Sequence, residues 1–93
     1  MAATRELLPI EVKQAIAWSV PRGGDRFVVA LPSPIPKPVA IALLGMGCIP
    51  LQKAAISEGS ALLLRVPSVL VPAFRALPSG GRGSLHPSNH LGF

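Results

Sequence analysis

Lys37-Pro-Val39-Ala-Ile-Ala-Leu43-Leu-Gly-Met-Gly47-Cys-Ile-Pro50-Leu-Gln-Lys53 is the stretch whose reading sets the fold class. Its two lysines bracket 15 uncharged residues, Pro38 to Gln52, most of them strongly apolar. As a single helix these would extend about 22 Å at ~1.5 Å per residue, whereas the hydrocarbon layer of a bilayer is ~30 Å thick. That length suits a short apolar helix that inserts marginally into a membrane, with the lysines reaching the headgroups, or that docks on a partner. The large side chains of the stretch, Ile41, Leu43, Leu44, Met46, Ile49 and Leu51, are then its membrane or partner contacts.

On the C-terminal side a second apolar run, Ala61-Leu-Leu-Leu64 onward to Phe74, is cut by Arg65, Pro67 and Pro72. As one helix in lipid it would leave a charge and freed backbone groups unsatisfied. From Pro78 to Phe93 too little apolar surface remains to offset the entropy lost on ordering, so a disordered tail is expected.

On the N-terminal side lies Pro32-Ser-Pro34-Ile-Pro36-Lys-Pro38, where alternate prolines fix φ and push the intervening residues toward extended geometry. It reads as a stiff spacer, and its prolines lack the P-x-x-P register of a polyproline ligand. Before it, Phe27-Val-Val-Ala-Leu31 favours a strand, which the following Pro32 predicts to be very short or at a sheet edge. The best helix signal runs from Pro9 toward Ser19. Proline is tolerated in a first turn, Glu11 lies near the positive end of the dipole, and Val12, Ala15 and Ile16 make an apolar stripe with Leu8 one turn earlier. Pro21 and Gly23-Gly24 are expected to stop it.

The chain therefore divides into an N-terminal amphipathic helix over 1–22, a Gly/Pro-rich spacer over 23–38, an apolar region over 39–77 and the tail over 78–93. The expected fold class is mostly α with extensive irregular structure. The alternative is a small α/β fold with a single βαβ-like unit.

Composition narrows the function classes. Eleven prolines and nine glycines interrupt a chain of 93 residues, and its only aromatics are Trp18, Phe27, Phe74 and Phe93. Bulky rings carry much of the energy of small cores, so the chain alone in water is expected to lack the apolar mass to order itself. A net charge of +5, with no acid after Glu58, favours anionic surfaces. The basic residues are scattered and lack aromatic platforms beside them, which ranks nucleic acid behind a lipid membrane or a protein partner. Cys48 alone excludes an internal disulfide, and its apolar neighbours make it a buried thiol. Charged residues within the first 20 positions leave no room for the apolar core of a secretory signal, and the compartment stays open.

Val39-Ala-Ile-Ala-Leu-Leu-Gly45-Met-Gly47-Cys-Ile-Pro50, followed by a helix near Leu51 to Glu58 capped by Gly59 and the run Ala61 to Val66, resembles the opening βαβ unit of the dinucleotide-binding Rossmann family. Such a resemblance implies a pyrophosphate held on backbone N–H groups at a helix N-terminus. The chain departs from the pattern. Pro50 occupies the third glycine position, the helix is too short for a crossover, and no acid follows to hold a ribose hydroxyl. No cofactor is expected. His86 and His90 alone make an incomplete metal site, the serines lack a nucleophile elbow, and Glu6 and Glu11 do not share a helix face. No catalytic or metal-binding set emerges.

The reading is a small, non-enzymatic, membrane-associated or accessory protein acting through its apolar middle and basic flanks. The alternatives are a largely disordered product of a short GC-rich reading frame without defined activity, and a small soluble α/β binding module.

Overall fold

The apolar runs around Phe27 and Leu63 form the two inner strands of a sheet. The structure, a computed structural model, describes residues 8–79. In chain order they form α1 (Ile10–Ala15), β1 (Trp18–Pro21), β2 (Arg26–Leu31), α2 (Lys37–Gly45), β3 (Ile49–Ile56), β4 (Gly59–Arg65), a 3-10 turn (Ser68–Leu70) and α3 (Val71–Arg75). The sheet order is β1-β2-β4-β3 with every neighbouring pair antiparallel. This small antiparallel sheet with short helices replaces the mostly α, largely irregular architecture expected from the sequence. The α/β alternative is correct in class only. β2 and β3 run the same way with β4 between them, so β2-α2-β3 is a split β-α-β unit.

Register explains the uninterrupted apolar runs. Phe27, Val29 and Leu31 of β2 and Leu62 and Leu64 of β4 point to the helices and are buried with Val12, Ile16, Val39, Leu43, Leu70 and Phe74. The alternate residues Val28, Ala61 and Leu63 are buried on the opposite face, where Trp18 and Ile56 pack against them. A strand buried on both faces carries no polar alternation, and so resembles a lipid-seeking segment in sequence. Phe27 and Phe74 meet at the centre with ring centroids 5.7 Å apart and planes tilted by 42°. Full burial of one Leu- or Phe-sized side chain stabilises by about 1.5–3 kcal/mol, so this cluster supplies the apolar mass that the shortage of aromatics had seemed to deny.

Several local expectations are corrected by tertiary pairing. The N-terminal helix starts after Pro9 as read but ends at Ala15, because Trp18–Pro21 pairs with β2. The Pro21 to Gly24 segment is a hairpin turn, with the Arg22 N–H donating to the Arg26 carbonyl at 2.8 Å. β2 is an inner strand and not an edge, since Pro32 falls just beyond its last pair, Leu31 with Ser60, and removes no ladder donor.

Within the decisive stretch, the helix starts after Pro36 and stops at Gly45. Gly47, at φ +92°, donates to the Leu44 carbonyl at 3.0 Å, and Cys48 donates to the Leu43 carbonyl at 3.1 Å. That pair of bonds is a Schellman termination, and it reverses the chain into β3. The Rossmann-like assignment fails on the same residues. Its first strand is α2, its helix over Leu51 to Glu58 is mostly β3, and Gly59 opens β4 instead of capping a helix. Pro78 and Ser79, assigned to the tail, lie along β1, with the Ser19 N–H donating to the Pro78 carbonyl at 2.8 Å. The rest of the expected tail lies outside the described residues.

Candidate functional site

β3 is the least covered part of the sheet. Five of its first residues, Ile49 to Lys53, are exposed, and a bulge at Leu51 interrupts its pairing between Pro50 and Gln52. The other edge, β1, is partly closed by Pro78 and Ser79, whereas among the described residues nothing pairs with the outer side of β3.

Beside this edge α2 leaves a half-open hollow of about 170 Å³. Leu62 and Leu64 of β4 form its floor, Ala40, Leu43 and Leu44 of α2 one wall, and Pro50 of β3 the other, with Ile35 at one end. Every lining side chain is apolar. α2 is nine residues long and packs Val39 and Leu43 into the same core as Leu62 and Leu64 of β4. A cavity of roughly 150 Å³ lined by aliphatic groups stays dry and accepts a benzene-sized guest, so this one has room for one aromatic or Leu-sized side chain.

The six sequence-predicted contact residues are placed in three settings. Leu43 is buried in the core and lines the hollow, and Met46 is half-buried against the same core. Ile41 and Leu44 are exposed on α2, at 63% and 60%, with Leu44 on the rim of the hollow. Leu51 is exposed at the bulge, while Ile49 pairs with Arg65 and so belongs to the face turned away from the helices. Sequence reasoning missed Ile35, Ala40, Pro50, Leu62 and Leu64. The signal it lacked was the pairing of β3 with β4, which no local pattern carries.

Basic groups flank the hollow. Lys37 opens α2, and Lys53 stands opposite Leu62, which places it on the helix-side face of β3 one step from the floor. The acids of the described residues lie elsewhere. Glu11 is on α1 and Asp25 pairs with Arg65 at 3.3 Å on the surface. Glu58 is in the β3–β4 turn, its carboxyl held below the ordinary range by its own backbone N–H and then by the Ser57 hydroxyl at 3.0 Å. The Trp18 indole donates to Glu58 at 3.4 Å and lies across the opposite face of the sheet. Among the described residues no three His, Cys, Asp or Glu side chains gather where a metal could be held. No helix among them is long and apolar enough to cross a membrane.

Cys48, buried at the end of α2, has its thiol pushed up to about 11 by desolvation. The native thiol is therefore expected to resist a thiolate-directed reagent such as iodoacetamide at pH 8, and to react only on unfolding. Its raised pKa also sets a sign. Between the ordinary thiol value and about 11 the unfolded chain releases a proton that the native state retains, so stability falls as pH rises through that window. A Cys48→Ala comparison of denaturation midpoints at pH 8 and pH 10.5 checks it, the wild type losing the extra stability. No family model, curated protein or solved structure matches the chain.

Proposed function

We propose that this protein is a small, non-enzymatic α/β binding module that docks an apolar side chain of a protein partner in the hollow between α2 and β3. The observation carrying this reading is a wholly apolar hollow with the exposed Leu44 in its lining, on the same helix as the exposed Ile41. Exposed large aliphatics around a pocket sized for one side chain have the form of an interface anchor site. A protein fits better than a lipid surface because the hollow is a concave pocket beside a strand.

Photo-crosslinking tests the reading. Benzoylphenylalanine at position 41, in cells that naturally express the protein, is expected to give a discrete protein adduct that disappears when Leu44→Glu is added. At position 49, on the other face, it is expected to give none. Both side chains are exposed, so Leu44→Glu should change stability by only about 0.5 kcal/mol. Adducts with lipid alone, or protein adducts indifferent to Leu44→Glu, would remove this reading.

A further inference from the structure

Resting on that reading, we infer that the partner segment is an extended strand that adds to the open edge of β3 and carries an acidic residue two positions from its apolar anchor. The hollow opens beside β3, whose outer edge has no strand partner among the described residues, so a chain inserting a side chain over Leu64 is already positioned along that edge. An added strand gains main-chain hydrogen bonds at such an edge and specificity from alternate side chains.

Register then fixes the spacing. Pro50, beside the hollow, pairs with Leu64, and Lys53 pairs with Leu62, so across the bulge the two are one alternation apart on the helix-side face. Two strand residues span about 7 Å. An anchor in the hollow therefore places the residue two positions along beside the Lys53 ammonium.

Charge selects the occupant. Lys37 opens α2 and Lys53 pairs with Leu62 of the lining, and a second copy of this chain would bring the same lysines. Lys53 lies close to the midpoint of Ile49–Ile56, so two-fold pairing of β3 with itself would bring like charges together. A foreign strand bearing a carboxylate gains where a second copy loses.

The test is selection of displayed random dodecapeptides on the full-length protein, counter-selected against Leu44→Glu. Enrichment of an aromatic or aliphatic residue with Asp or Glu two positions away is expected. Lys53→Glu should weaken the winning peptide about tenfold and, in a repeated selection, exchange its acid for Lys or Arg. N-methylation of the alternate amides facing β3 should abolish binding, while N-methylation of the other set should not. Peptides that depend on Leu44 but show helical three- and four-residue spacing, or ignore Lys53→Glu, would overturn the strand and leave the hollow. Peptides with no dependence on Leu44 would overturn both. A micromolar dimer in sedimentation equilibrium, disrupted by Ala55→Pro, would assign the edge to a second copy and overturn the inference.

Discussion

Phe27→Ala is expected to abolish the cooperative thermal transition, or to lower Tm by at least about 15 °C, in plain buffer without lipid. Phe27 is fully buried in β2, with its ring against Phe74 and Leu64 as its cross-strand partner. Truncating a buried Phe costs about 3–5 kcal/mol, the lost transfer energy being joined by a void that surrounding atoms fill only in part. A domain of this size is stable by only about 4–10 kcal/mol, so one ring accounts for a large share of the total. Each kcal/mol moves the Tm of so small a domain by about 4–8 °C, which gives the size of the fall. Phe27→Leu, which keeps most of the volume, should cost about 1 kcal/mol. A shift under about 5 °C for Phe27→Ala, read by calorimetry, would show that the two-phenylalanine contact does not hold the sheet to the helices.

That dependence explains how the sequence misleads. Counting aromatics across the chain finds too few for a core, yet two of the three phenylalanines meet at its centre and aliphatic residues fill the remainder. Local signals were legible where backbone chemistry acts within a few residues. Pro9 starts α1, and Phe27 to Leu31 form a strand that ends at Pro32. Signals were lost where a distant partner decides. Leu51-Gln-Lys-Ala-Ala-Ile56 has nothing strand-like in its polar and alanine-rich centre, and it becomes β3 only because β4 offers a ladder to pair with. Two of the seven residues lining the hollow, Leu43 and Leu44, were among the contacts read from the apolar stretch itself. Pro50, Leu62 and Leu64 join them only through that same non-local pairing.

Gly59→Ala is expected to destabilise the protein by about 3 kcal/mol or more, and to weaken any ligand of the α2–β3 hollow beyond what its loss of folded protein explains. Gly59 has φ +139°, a conformation that residues with a side chain rarely adopt. A Cβ there would collide with the Leu31 carbonyl oxygen and come within 2.9 Å of the Ser33 nitrogen and 3.0 Å of the Pro32 Cα. All three obstacles are backbone, so no side-chain rotation relieves them. Relief requires either the β3–β4 hairpin or the exit from β2 to move. Both movements reach the hollow, because β3 and β4 carry Pro50, Leu62 and Leu64, and the chain leaving β2 leads through Ile35 into α2. Gly45→Ala, at the end of α2 with nothing within 4 Å of the added methyl and no positive φ, should instead be neutral or stabilise by up to about 1 kcal/mol. Chemical denaturation of the two variants, with binding measured well below each midpoint, separates stability from site geometry. Equal denaturation midpoints would contradict the close approach of β4 to the Leu31–Ser33 backbone. Reduced stability with unchanged affinity of the folded fraction would show that the approach holds the sheet without setting the hollow.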